Sequence, residues 1–261
     1  MKTDAEFDEA WQQLAPHWSI QAADEGIPST PLYSGLRRFL SPALRPLLRW
    51  RISGAGRVPR HGPVILAANH LSHVDPVAVI AAARRTTYYL AKEGHFEKRF
   101  TRLVMNATGQ IETKRAEGGT DALASAATVL EQGQALGIFP EGTRSRRTEP
   151  PFMLPGKTGV ARLAAAYPQA KVVPIALNGT RSIMAPKTHK FPRIWKRFEV
   201  NIGHPVSWLE WLQHPQGGNI NTQQLKELGA QDEHEIRAAL AQLYRSFTDQ
   251  MMGSLQALGA P

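Results

Sequence analysis

What most constrains this chain is an alternation of short apolar runs with stretches of helical periodicity. Pro63, Val64, Ile65, Leu66, Ala67 and Ala68 form one continuous apolar run. It is short and has no polar face, as expected of a strand buried on both sides. Residues 87–90, 135–139, 171–177 and 198–202 read as further strands, and another starts at 109–111. Between them, residues 76–83, 96–105, 120–130 and 158–166 read as helices. Strands separated by helices of this size predict an α/β domain with a mixed, largely parallel sheet flanked by helices.

The flanks follow different patterns. Residues 4–14 read as a short polar helix, and a linker punctuated by Gly26, Pro28 and Pro31 follows. In residues 32–52, Leu36, Phe39, Leu40, Leu44, Leu47 and Leu48 recur at helical spacing, with Arg37, Arg38, Arg45, Arg49 and Arg51 between them. Pro42 and Pro46 divide this stretch into two short helices. No acidic residue occurs from 31 to 60. A basic, amphipathic and interrupted segment suits a membrane interface; a solvated helix packed on the main domain is the alternative. Residues 232–258 read as one long helix with Ile236, Leu240, Leu243 and Phe247 on a stripe. The expected division is a helical, membrane-surface segment over 1–51, an α/β domain over 52–210 and a helical extension over 211–261.

Composition narrows the function classes. The chain carries a formal charge of +9, so it should favour nucleic acid, anionic lipid or phosphorylated small molecules. It has no cysteine, which removes disulfides, thiolate nucleophiles and cysteine metal sites. A mean hydropathy of −0.32 argues against a polytopic membrane protein, and no apolar run approaches the roughly 20 residues of a spanning helix. The acidic start of the chain is not expected to act as a secretory signal.

Two stretches carry chemistry. Asn69-His70-Leu71-Ser72-His73-Val74-Asp75 lies where an apolar strand ends and a helix begins, the usual place for ligands in open α/β sheets. Asp75 is close enough in sequence to His70 to reach one imidazole nitrogen across that turn. Such a contact fixes the tautomer and raises the basicity of the other nitrogen. Taken alone, the spacing is equally compatible with a polar helix start. The second stretch, Phe139-Pro140-Glu141-Gly142-Thr143-Arg144-Ser145-Arg146-Arg147, follows another apolar run. It combines a carboxylate, a glycine, hydroxyls and three arginines, a set suited to phosphate recognition; a solvated basic loop is the plainer reading. His70 and His73 have no third ligand at a zinc-like spacing, so no metal site is expected.

Together these stretches resemble the lysophosphatidate (1-acylglycerol-3-phosphate) acyltransferase family. NHLSHVD at 69–75 and FPEGTRSR at 139–146 look like its first and third signature blocks. Gly109-Gln110-Ile111-Glu112-Thr113-Lys114-Arg115 matches the second and Val173-Pro174-Ile175 the fourth, in family order. Glu112 and Lys114 depart from the common pattern of the second block, which leaves the acceptor's phosphate environment open.

The resemblance implies roles. His70 would be the general base and Asp75 its orienting partner. Arg115 would bind the acceptor phosphate. Glu141 and Gly142, helped by Thr143 and Arg144, would position the glycerol backbone, and Lys157 would add a phosphate contact. It also implies an acyl-CoA or acyl carrier protein co-substrate and no cofactor. The acceptor would be a lysophospholipid, taken at an anionic membrane surface on the cytoplasmic face and without nucleic acid. Glycerol 3-phosphate, another lysophospholipid or an amino-lipid are alternative acceptors. A non-catalytic basic protein that binds membrane or nucleic acid is the reading from a different class.

Overall fold

The computed structural model describes residues 5–23, 26–27, 30, 33, 35, 50–92, 110–113, 119–186, 188, 191–193 and 195–261. The strands among them are β1 (Trp50–Ser53), β2 (Val64–Ala68), β3 (Thr87–Lys92), β4 (Gln110–Thr113), β5 (Ala135–Ile138), β6 (Lys171–Asn178), β7 (Phe198–Ile202) and β8 (Val206–Ser207). The helices are α1 (Ala5–Gln13), α2 (Ala15–Trp18), α3 (Asp75–Ala83), α4 (Gly119–Glu131), α5 (Gly159–Ala166), α6 (Thr180–Met184), α7 (Trp208–Gln213), α8 (Thr222–Gly229) and α9 (Glu233–Ala257).

The strands form one sheet ordered β1-β7-β6-β2-β5-β3-β4, with β8 pairing to β6. Pairing is parallel except where β6 meets β7 and β8. The mixed, largely parallel sheet is thus the one the residue pattern predicts. Alternation along β2 explains why both faces are covered. Ile65 and Ala67 enter a core on one face, while Val64, Leu66 and Ala68 enter a core on the other. The first core includes residues of α1, α2, α4, α5, α7, α8 and α9, and the second includes residues of α3. Because β2 and β5 run parallel, with Ala67 opposite Ile138, the residues that follow them leave the sheet side by side. That placement brings the two chemistry-bearing stretches together.

Three features differ from the sequence reading. Residues 5–18 pack into the core: Phe7 and Trp11 are fully buried, Trp11 stacks on Trp18 at 5.3 Å, and its indole N–H donates to the Ala165 carbonyl at 3.2 Å. A Lys226–Glu6 ion pair ties α1 to α8. The boundary expected at residue 51 falls inside β1, where Trp50 packs on Phe198 at 4.8 Å. Its half-buried and exposed residues alternate, a period of two that marks an edge strand rather than a helix. Helix α7 is capped by reciprocal bonds between Ser207 and Glu210, a device that places a helix where none was expected.

Residues 36–49, which hold most of the expected interfacial helices, and the helix expected over 96–105 lie outside the described residues. No helix among the described residues is long and apolar enough to cross a membrane.

Candidate active site

Strand β2 ends at Ala68, and the buried side chain of Asn69 continues its pairing with β6. Asn69 accepts from the Leu177 amide at 2.7 Å and donates to the Leu177 carbonyl at 2.9 Å. The chain then turns sharply into α3. Asp75, the first residue of that helix, is fully buried, and its Oδ2 accepts from the Leu71 and Ser72 amides at 2.6 Å each. The same oxygen lies 3.0 Å from His70 Nδ1. Beside a carboxylate already fixed by two amides, Nδ1 carries the proton and Nε2 is left as the basic nitrogen.

The phenyl ring of Phe139 covers the imidazole, with centroids 3.8 Å apart and planes 11° from parallel; Tyr89 stacks behind Phe139 at 5.3 Å. This burial lowers the His70 pKa below its ordinary 6.5, against the opposing pull of Asp75, and the charge of Arg144 lowers it further. Nε2 therefore stays unprotonated at neutral pH and can accept a proton.

The loop after β5 holds His70 by its main chain. Glu141 is 2% exposed. Its Oε1 accepts from the His70 amide at 2.7 Å and its Oε2 from the Leu154 amide at 2.8 Å. Burial pushes its pKa up to about 7, against the pull of these two donors. The His70 carbonyl accepts from the Ser145 amide at 2.9 Å, so the main-chain N–H and C=O of His70 are both tied to the loop. Glu141, expected against the substrate's glycerol backbone, is instead turned inward, with both oxygens taken by main-chain donors. It holds His70 in place.

Gly142 has φ +70°, and a Cβ there would fall 3.1 Å from the Lys157 side chain. A side chain would therefore be strained in the backbone and crowded by Lys157. Lys157 is exposed beside it, and its amide donates to the Pro140 carbonyl at 2.8 Å. Thr143 is exposed on the same loop. Arg144 contacts His73 Nδ1, and its charge reaches His70. Arg147 braces the loop through the Pro151 and Met153 carbonyls, at 2.8 and 3.2 Å. The structure thus joins His70 to Asp75 and sets Gly142, Thr143, Arg144 and Lys157 along the adjoining loop. Arg115 lies outside the described residues. Among the described residues no group of three or more His, Asp or Glu side chains could hold a metal ion.

Several contributors had not been given roles from the sequence. Phe139 and Asn69 stand inside the recognised motifs, and their positions at strand ends were the available signal. Ser72, whose hydroxyl donates to the Met184 carbonyl at 2.8 Å, and the Leu154 amide left no such signal, because their partners are distant in sequence.

Residues 49–178, which span both motifs, match the family model described as Acyltransferase. The chain belongs to the acyltransferase family. Among the curated members it resembles, the 1-acyl-sn-glycerol-3-phosphate acyltransferase of Borreliella burgdorferi is 32% identical over 97 residues, 36% of this chain and 39% of that protein. A chloroplastic 1-acyl-sn-glycerol-3-phosphate acyltransferase of Arabidopsis thaliana is 28% identical over 155 residues, 56% of this chain and 40% of that one. The chain thus spans about two fifths of the length of these relatives. The crystal structure of the 1-acyl-sn-glycerophosphate (LPA) acyltransferase PlsC from Thermotoga maritima overlays with a TM-score of 0.49 at 18% identity, covering 94% of this chain and 95% of that one. For this member of the acyltransferase family, the matched region contains the whole His70–Asp75 turn and the braced loop 139–157.

Proposed function

We propose that the chain transfers a fatty acyl group from an acyl thioester to the free hydroxyl of 1-acylglycerol 3-phosphate, giving phosphatidate. The observation that carries this reading is the His70–Asp75 pair with Arg144 and Lys157 on the adjoining loop. A base with a fixed tautomer beside accessible cations suits a hydroxyl close to a phosphate. Family membership and the names of the relatives support the reaction type.

In the proposed step, His70 Nε2 removes the proton of the acceptor hydroxyl as that oxygen attacks the thioester carbonyl. The new C–O bond forms, the C–S bond breaks as the tetrahedral intermediate collapses, and the imidazolium returns its proton to the departing sulfur. Asp75 stabilises the imidazolium and keeps Nε2 turned to the substrate. Base catalysis of this kind contributes about 10²–10⁴-fold, and positioning supplies much of the rest. No cofactor is needed, because the thioester is already activated. Arg144, Lys157 and Arg115 are assigned to the acceptor's phosphate, and acyl-CoA or acyl carrier protein serves as donor. The reaction is placed at the cytoplasmic face of a membrane, where the acceptor resides.

An acceptor panel tests the substrate. Lysophosphatidate should exceed monoacylglycerol, which lacks the phosphate, on the order of 10²-fold in kcat/KM, as losing a close charge pair does. Glycerol 3-phosphate should also fall behind. Equal rates with and without phosphate would remove the phosphate from the recognition account.

A further inference from the structure

Only three large hydrophobic residues are strongly exposed among the described residues: Val77 at 54%, Phe191 at 81% and Trp195 at 66%. Two of them share the connection between α6 and β7, and Val77 lies on the first turn of α3. Single exposed apolar side chains need no explanation. Two large aromatic residues on one short loop do.

The chemistry of that loop points one way. Every described residue from 191 to 197 is exposed, and Phe191 and Trp195 alternate with Arg193, Lys196 and Arg197. No Asp or Glu occurs anywhere from residue 150 to residue 198. The loop is also held in shape: the Arg193 amide donates to the Ile183 carbonyl at 2.9 Å, and the Lys196 amide to the Arg193 carbonyl at 3.0 Å. Aromatic rings set among cations are the composition that settles at the headgroup level of an anionic bilayer.

The loop's anchorage relates it to the site. Helix α6, from which it leaves, accepts the Ser72 hydroxyl at Met184, and Ser72 belongs to the turn that presents His70 to Asp75. From the same helix Arg181 lies over the Phe152 ring at 4.6 Å, in the loop braced by Glu141. One helix therefore touches both stretches that build the site and carries the exposed aromatic loop.

We propose that Phe191 and Trp195, with Arg193, Lys196 and Arg197, form a docking surface that inserts into an anionic lipid bilayer and seats the catalytic turn at the headgroup level. The proposal rests on the reading of the acceptor as a lipid. It adds a membrane contact distinct from the basic stretch at residues 36–49. Aromatic residues among cations also suit single-stranded nucleic acid. The bilayer is favoured because the loop is joined to a turn assigned to lipid chemistry.

The absence of native cysteine makes the test direct. F191C and W195C, each labelled with an environment-sensitive fluorophore, are mixed with vesicles of equal parts phosphatidylglycerol and phosphatidylcholine, with Q223C on α8 as the control. The labels at 191 and 195 should brighten and shift to the blue, less so in high salt, while the label at 223 should not. The unlabelled F191S/W195S pair, at positions too exposed to unsettle the fold, should bind these vesicles about tenfold more weakly or worse. Silent labels on bound vesicles, or undiminished binding by the double variant, would overturn the proposal. So would a response to a single-stranded oligonucleotide but not to vesicles. Binding is read without turnover, so the two readings fail separately. A protein that docks through these residues but does not acylate lysophosphatidate loses only the acceptor assignment; one that acylates it with silent labels loses only the docking surface.

Discussion

The surroundings of His70 and the helical layer at the other end of α5 are both buried, yet different chemistry holds them. Around the ends of β2 and β5, Asn69, Ser72, Asp75, Glu141 and Ser145 are all at most 2% exposed, and each is engaged with the main chain of a neighbouring segment. In the helical layer, Trp208 packs against Trp11, Trp211 and Phe247 at ring distances of 5.5, 5.1 and 5.4 Å. Hydrogen bonds set direction to a fraction of an ångström but return little net stability. Aromatic burial returns stability and tolerates small shifts. The contrast explains why polar side chains are buried next to His70, where the proposed chemistry needs a fixed orientation, while α1, α2, α7 and α9 supply bulk.

If that division is right, the two regions should fail differently. The largest effect is expected from D75N. The carboxamide can still offer one oxygen to Nδ1–H and to the Leu71 and Ser72 amides, but it carries no negative charge to stabilise the imidazolium, so turnover should fall about 10³-fold or more with the fold retained. Measured by thiol release alongside circular dichroism, near-normal turnover would break the comparison from the side of the site. W208A should behave in the opposite way, losing about 3–5 kcal/mol in a denaturant titration. Its kcat per folded molecule should remain near wild type. A folded but inactive W208A would mean that the helical layer also sets the site's geometry.

The smallest effect is the pH profile. Protonated His70 cannot accept the acceptor's proton, so turnover should fall as pH drops through its pKa. That pKa is lowered by burial, which puts the midpoint below 6.5. The decline should be about tenfold per pH unit below the midpoint. Glu141, raised to about 7, titrates nearby, so the profile of E141Q separates the two: the limb belonging to His70 should persist there. A midpoint above 6.5 in that variant would contradict the buried base.

Much of this was legible in the residues. The apolar runs placed β2, β5 and β6, and the positions of His70 and Phe139 just past two of them put both motifs at strand ends. Less visible were contacts whose partners are remote in sequence. Glu141 shows a carboxylate in a basic loop, but not that the amides of His70 and Leu154 would enclose it. Trp50 and Ile52 alternate as an edge strand does, yet the arginine-rich helical spacing upstream masked the change of period. The polar residues of α1 hid a face on which Phe7 and Trp11 are wholly buried, because their partners come from α7 and α5. By contrast, Ser207 and Glu210 carried a readable capping signal for α7.

The central claim is that His70 is the base for acylation of a phosphorylated lipid hydroxyl. The most direct test is thiol release from a long-chain acyl-CoA by wild type and H70A, each with and without lysophosphatidate. The account predicts rapid release only when His70 and lysophosphatidate are both present. Release by wild type without acceptor, or undiminished acceptor-dependent release by H70A, would contradict it.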